Sequence, residues 1–428
     1  MTTTSNSRPV LFIGYVWPEP NSSAAGSRIM QLITYFAQNH RVVFASPAKL
    51  GEHREDLTQL GVKEQHIALN CDSFNTWVSE LNPATVIFDR FMMEEQFGWR
   101  VEQCVPDCLR ILDTEDLHSL RQARHDNHKA ALKQGIQFDT QFADTERLFA
   151  QMSVQDVCQR EIAAIYRCDL SLMISEFEIE LLNNCFGVPR AQLVHLPFML
   201  EPALQNSPNF TARQHFVSIG NFRHAPNWDA TLWLKQQIWP RIRRKLPHAQ
   251  LHIYGAYPSK KVTDLHSESE GFHVLGWAED AFDVLKHARV CLAPLRFGAG
   301  IKGKFTDAMR CATPSVTTTL GAESMAGEYP WPGALANDCE QLAHQAIALH
   351  QDAERWQEAS NSCAIILAKR YDRAALTALL DERISACQLD LERHRRQNFT
   401  GTMLRHHMHK STKYMSQWIA AKNTAASD

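Results

Sequence analysis

Short apolar runs alternate with longer segments of helical period along nearly the whole chain. Val10–Tyr15 (Val-Leu-Phe-Ile-Gly-Tyr) is a compact apolar run carrying Gly14 at its end, the pattern of a parallel strand buried on both faces. Ser27–Asn39 follows with Ile29, Leu32, Ile33 and Phe36 at helical spacing, and His40–Ala45 is a second run. Ala84–Asp89, Arg110–Leu112 and Cys168–Ser175 repeat the strand pattern, and residues 120–165 are polar and helical in period. Ser175 with Glu178 marks a capped helix start. His195–Phe198 and Pro202–Pro208 read as a linker, after which the rhythm restarts. His215–Ile219, Gln250–Gly255, Val274–Trp277, Arg289–Ala293 and Ser315–Thr319 are the strands of this second half. Trp228–Trp239 and Ala281–His287 are helices between them, and residues 340–385 hold two more. Strands alternating with helices specify an α/β fold with parallel sheets. The pattern predicts two Rossmann-like domains, residues 1–205 and 206–370, with a closing helix and tail over 371–428.

Candidate chemistry concentrates after the run at Arg289–Ala293. Gly298, Gly300 and Gly303 bring backbone close to a neighbour with no Cβ in the way. A helix then starts near Lys302, with Phe305, Ala308 and Met309 on one face. A glycine loop feeding a helix N-terminus offers free amides and the positive end of the helix dipole, an anion site suited to a diphosphate. Lys302 and Lys304 add full charges there, and Asp307, one turn on, is placed to take ribose-like hydroxyls. A surface turn with two solvated lysines is the alternative reading of these residues. The dinucleotide fingerprint Gly-x-Gly-x-x-Gly is absent after the first strand, which argues against a nicotinamide dehydrogenase.

The wider pattern resembles a known signature. Pro294-x-Arg296-Phe297-Gly298-Ala299-Gly300-Ile301-Lys302-x-Lys304, Asp307-Ala308-Met309, Pro314-x-Val316-Thr317-Thr318 and Gly321-Ala322-Glu323 are similar to the donor site of family 4 glycosyltransferases. These are retaining enzymes of the GT-B fold, two Rossmann-like domains facing across a cleft. The resemblance implies a nucleotide diphosphate sugar donor as substrate, no metal and no other cofactor. Two glutamates eight positions apart are usual in the family. Here Asp307 takes the second place as a shorter acid and Ala299 the first, as in a subgroup whose loop reads Gly-Ala-Gly-x-Lys/Arg-x-Lys.

The resemblance assigns further roles. Gly14, Gly220, Arg223, Gly298, Gly300, Ile301, Lys302 and Gly303 are expected to bind the donor, with Lys304, Asp307 and His118 as catalytic residues. Arg223 matches the family's first-loop arginine, but no lysine follows at the usual spacing. Asp113-Thr114-x-Asp116-x-His118-x-x-Arg121 resembles a segment on the acceptor side of related sugar transferases, so Asp113, Asp116 and Arg28 are acceptor-side candidates. Read without the resemblance, Asp113 or Thr114 caps a helix and Arg28 is a solvated first-turn residue. Gly276-Trp277 is similar to the turn that contacts the base. The implied reaction is glycosyl transfer to a glycan or lipid-linked acceptor; a nucleotide-sugar epimerase on the same fold and a non-catalytic GT-B partner protein are the alternatives.

Composition narrows the setting. The chain has 428 residues, 44% hydrophobic and 21% charged, with a net charge of −3, so no global field favours nucleic acid. Eleven scattered cysteines suit free thiols in a reducing cytoplasm. Met1–Ser7 is polar, without the pattern of a signal peptide, and no apolar run is long enough to span a bilayer, so a cytoplasmic location is expected. Residues 393–428 carry seven Lys or Arg against one acid, a formal +6, mixed with Trp418 and other apolar residues. That segment is expected either to lie on the inner face of an anionic membrane or to pack as an extra helix. His406, His407 and His409 lack an acid partner and make a poor metal site.

Overall fold

The structure, a computed structural model, describes residues 8–204 and 206–425, with no side chains described at 407–410, 420 and 423–425. Met1–Ser7 and the His407 and His409 side chains therefore lie outside the described residues.

Two parallel sheets form the frame. The first has strands β1 (Val10–Ile13), β2 (Val42–Ser46), β3 (Lys63–His66), β4 (Thr85–Asp89), β5 (Leu109–Asp113), β6 (Leu170–Met173) and β7 (Leu193–His195), in the order β3-β2-β1-β4-β5-β6-β7. The second has β8 (His215–Ile219), β9 (Leu251–Tyr254), β10 (Phe272–Gly276), β11 (Ala288–Leu292), β12 (Ser315–Thr317) and β13 (Gly333–Leu335), in the order β10-β9-β8-β11-β12-β13. Helices cover both faces of each sheet, which is why β1, β2, β4, β5 and β6 are buried at every position rather than at alternate ones. The strand order reverses beside β1 in one sheet and beside β8 in the other. At such switch points the loops leaving the strand C-termini part and open a crevice.

Three strands go beyond the sequence pattern. β3 is Lys-Glu-Gln-His at a sheet edge, paired in parallel with β2. β7 is Leu-Val-His, ending at His195 where the expected linker begins, and β13 is Gly-Ala-Leu at the edge of the second sheet; each is three residues long. The helix expected over Trp228–Trp239 runs from Ala225 to Trp233, opens into a π turn at Leu234–Ile238 and resumes at Trp239–Lys245. Pro240 has no N–H for the α-helical ladder, and the wider turn sits immediately before it. Residues 340–385 hold three helices rather than two: Cys339–Gln351, Ala353–Arg370 and the beginning of Arg373–Leu389. Asp352 and Asp372 break the series by capping the next helix, accepting from Glu354 and Arg355 N–H and from Ala375 N–H respectively.

Helix Arg373–Leu389 returns to the first sheet, where Leu380, Ile384 and Cys387 join the core built on Val10, Phe12, Ile33 and Phe44. Helix Phe399–Ala425 also packs on the first domain, against helices Phe91–Cys104 and Asp156–Arg167. Its charges partly explain the docking. Arg405 is buried, reaches the Arg167 carbonyl and pairs with Glu102 at 3.5 Å, and Arg395 just ahead of the helix grips Asp169 at 2.8 Å. The tail is thus a packed helix, with Tyr414, Met415 and Trp418 on its exposed side. Among the described residues no helix is long and apolar enough to cross a membrane, and all eleven cysteines are free.

Candidate active site

A cavity of about 740 Å³ lies between the two switch points. Its floor on the second-domain side is the loop from β11 to helix Gly303–Arg310. Gly300 adopts φ +61°, and a Cβ there would come within 2.9 Å of both Asp116 Cβ and Ile174 Cδ1, so only glycine lets the loop touch the first domain. Its N–H donates to Glu178 Oε1 at 2.7 Å, and Leu117 N–H donates to the same oxygen at 3.2 Å. One buried carboxylate thereby ties the donor-side loop to the acceptor-side loop.

Lys302 and Lys304 are both held at the cavity wall. Lys302 Nζ donates to the Gly300 carbonyl at 2.7 Å, and Lys304 Nζ donates to Asn227 Oδ1 at 2.7 Å. Gly220 makes room for the second: a Cβ there would lie 2.8 Å from Lys304 Nζ. Gly303 and Lys304, whose amides open helix Gly303–Arg310 without an intrahelical partner, line the same wall as the two ammonium groups, and Phe305 N–H is taken by the Lys302 carbonyl. Asp307 follows one turn on, half-buried, and burial pushes its carboxyl up to about 7.

Burial lowers both lysines to about 8, so each is cationic at pH 7. Above pH 8 the free protein loses those protons, and a diphosphate must bind while restoring them. Affinity for a nucleoside diphosphate is therefore greatest below pH 8 and falls above it, by up to about tenfold per pH unit for each lysine engaged. Calorimetric titrations between pH 6.5 and 9.5 read this directly; a flat profile would remove the lysines from diphosphate binding.

The acceptor-side wall comes from the loops after β4 and β5. Asp116 pairs with Arg121; burial opposes its charge, but Arg121 and His118 hold the carboxyl down at about 2. His118 lies 3.8 Å from Asp116 and packs edge-on to Phe91, and burial lowers its imidazole to about 4. Glu161 accepts from the His118 and Ser119 N–H groups and so fixes the start of helix His118–Lys133. Arg90 and Glu115, which line the cavity beside them, adopt φ +69° and +59°. Backbone held in that region costs about 1–3 kcal/mol per residue and clusters at functional sites. Burial and the nearby Asp113 raise the Glu115 carboxyl well above its usual range.

The residues singled out from sequence divide into two groups. Gly220, Gly298, Ile301, Lys302, Gly303, Lys304, Asp307, Asp116 and His118 line the cavity. Gly300 sits behind the wall, wedged against Asp116. Gly14 is not in the cavity wall: a Cβ there would lie 2.2 Å from Phe44 Cζ, and the next residue, Tyr15, donates its N–H to Asp89 Oδ2 at 3.0 Å. Arg28 and Asp113 are not at the cavity, contrary to expectation: both are fully buried and pair at 3.0 Å beneath it, with Arg28 also donating to the Pro197 carbonyl. Asp113 ends a strand and Arg28 lies early in helix Ala24–Ala37, and their opposite charges pair beneath the cavity rather than in its wall. Arg223 is likewise not in this cavity's wall; its guanidinium stacks on Tyr257, 3.5 Å from the ring centroid. Glu178 and Asn227 were not singled out as site residues, and their only sequence signal is position, each in the first turn of a helix that follows a strand.

The two domains are fastened around the cavity. Arg124 makes a two-pronged pair with Glu323 at 2.7 and 2.8 Å and donates to the Gly298 carbonyl at 3.0 Å. His128 and Arg296 share Asp229, at 3.2 and 2.6 Å. On the far rim Trp277 stacks on His53 with ring centroids 4.5 Å apart, and its indole N–H donates to the Asn21 carbonyl.

Comparison with known proteins bears on the fold. Residues 213–352 match the family described as glycosyl transferases group 1. HepE of Anabaena, solved with UDP and glucose, superposes with a TM-score of 0.63 at 11% identity, covering 89% of this chain and 100% of its own. Sucrose-phosphate synthase of Thermosynechococcus elongatus gives 0.62 at 14% identity, over 88% of this chain and 98% of its own. WaaG, a glycosyltransferase involved in lipopolysaccharide biosynthesis, gives 0.58 at 11% identity, over 86% and 97%. No curated protein sequence matches the chain. The fold is GT-B.

Proposed function

We propose that the chain is a retaining glycosyltransferase of the family 4 type, moving a sugar from a nucleotide diphosphate donor to a glycan or lipid-linked acceptor without a metal ion. The observation that carries this reading is the convergence of Lys302, Lys304 and the first amides of helix Gly303–Arg310 on one wall of the cavity between the switch points. Cleavage of the sugar–phosphate bond leaves negative charge on the diphosphate. Fixed cations and amides stabilise that charge most where water is excluded. In this reading they take the part a divalent ion plays elsewhere. Asp307 accepts from the ribose hydroxyls. His118, uncharged at neutral pH, hydrogen-bonds the transferred sugar from the opposite wall. With the acceptor hydroxyl entering on the face of the leaving group, the departing phosphate oxygen takes its proton and the configuration is kept. HepE bound to UDP-glucose supports a nucleotide sugar as the donor class.

A second reading, epimerisation of the nucleotide sugar, draws on Glu115, Asp116 and His118 converging on the same space. Product analysis separates the two: transfer needs an acceptor, and epimerisation yields a new nucleotide sugar without one.

The test is thermal unfolding with a panel of nucleoside diphosphates and their sugars, with and without EDTA. Binding to the folded state raises the melting temperature. One base is expected to stabilise the protein equally in both conditions. Absence of any shift across the panel would overturn the donor site, and loss of the shift with EDTA would overturn metal independence.

A further inference from the structure

A second cavity, of about 440 Å³, opens beside the first, and His118, Arg121, His224, Pro226 and Phe297 line both. Its polar lining is Arg121, Arg223, His118, His125, His224 and Gln122, and it contains no carboxylate. We propose that this side cavity seats a phosphate group carried by the acceptor, so that the acceptor is a phosphate ester whose reacting hydroxyl reaches the donor sugar in the main cavity. This rests on the glycosyltransferase reading and adds the acceptor's chemical class to it.

The charge layout supports an incoming anion. Arg121 is paired with Asp116 from beneath, so it is anchored rather than free to swing out. Arg223 is held by stacking on Tyr257, and among the described residues no salt bridge involves it. A guanidinium stacked on a ring and without an acid is a fork already set for phosphate oxygens. Gln122 Nε2 donates to Asp126, which keeps that carboxylate engaged outside the lining. His125 stacks on Phe297 with centroids 4.4 Å apart and is thereby fixed in orientation. Burial lowers His118 and His125, so these two rings enter the complex as neutral N–H donors able to take up a proton when a dianion arrives. The donor diphosphate has its own cations in Lys302 and Lys304, across the shared wall. A neutral sugar acceptor offers these groups hydrogen bonds but no negative charge to match the two guanidinium groups. The volume is within the range of small-ligand sites and admits a phosphate with the group it esterifies.

The test is calorimetric titration of the full-length protein, saturated with whichever nucleoside diphosphate stabilises it so that the donor phosphate site is filled. The probes are glucose 1-phosphate, farnesyl diphosphate and, as uncharged control, glucose. At least one phosphate-bearing probe is expected to bind tenfold or more tightly than glucose. Arg223→Gln and Gln122→Glu, both at exposed positions, are each expected to weaken that probe at least tenfold and to leave glucose unchanged. Preference for glucose 1-phosphate marks a soluble phosphosugar acceptor, and preference for farnesyl diphosphate a lipid-linked one. Equal binding of all three probes, or wild-type binding by both variants, would overturn the proposal. So would phosphate binding that disappears when the nucleotide is present, since the probe would then have occupied the donor site. Should no nucleotide bind, the donor reading fails separately, and the same titrations in Lys304→Ala protein still decide the side cavity.

Discussion

Replacing Lys304 by alanine is expected to lower kcat by about a hundred- to a thousandfold, the usual cost of removing one preorganised donor from developing negative charge. KM for the donor should change far less, because the ground-state diphosphate keeps Lys302 and the helix amides. The fold should survive. Among the described residues the Lys304 ammonium makes one hydrogen bond, to Asn227, and Asn227 is independently anchored by donating to the Asn221 carbonyl at 2.8 Å. Removing a buried ammonium also removes the desolvation that lowers it to about 8. Arginine is not a conservative replacement here, since Gly220 clears space for a compact ammonium and a guanidinium is broader. Steady-state kinetics beside a thermal melt settle the matter. Activity within fivefold of wild type in a folded variant would place the leaving-group stabilisation elsewhere.

The second large effect is on stability. Arg28→Met leaves Asp113 fully buried beneath the cavity without its cation, and should destabilise the protein by about 3–5 kcal/mol. Burial already raises the Asp113 carboxyl against the pull of Arg28, and its Oδ2 has no hydrogen-bond partner. The double variant Arg28→Met with Asp113→Leu should recover most of the loss, since a buried pair replaced by apolar residues of similar size is often neutral. Urea midpoints of wild type, the two single variants and the double variant give the coupling. A loss below about 1 kcal/mol in Arg28→Met would mean that the pair does not hold the strand ends.

The sequence made the frame legible wherever burial on both faces left an unbroken apolar run, as in Val10–Ile13 or Val42–Ala45. It did so at the donor loop too, where glycine spacing, lysines and a helix start coincide within a dozen residues. It was silent where backbone alone does the pairing, as in β3, whose four side chains are all polar. Site residues were legible when their chemistry was local. Lys304 and Asp307 follow from the loop they belong to. Glu178 does not, because its importance comes from Gly300, over a hundred positions away in the chain, and nothing near Glu178 records that contact. The reverse holds for Arg28 and Asp113. Asp113 ends a strand and Arg28 lies in the helix after the first strand, positions that suggested the cleft, but their complementary charges pair with one another instead. Residues 393–425 were ambiguous for a similar reason: a basic, aromatic helix can pack on a membrane or on carboxylates of its own chain, and Asp169 and Glu102 are the partners it meets.

That docking makes the first domain discontinuous in the chain. Its sheet is complete by His195, yet part of its core, Leu380, Ile384 and Cys387, is translated almost two hundred residues later, and the helix Phe399–Ala425 later still. At ~5–20 residues per second, a ribosome takes roughly ten to forty-five seconds to make up the difference. Through that interval the nascent first domain presents the bare apolar groove that helix Arg373–Leu389 will fill, while the second sheet is already able to close on itself. The half of the molecule synthesised first is therefore the half that finishes folding last, and it is the nascent surface with the greatest call on a chaperone.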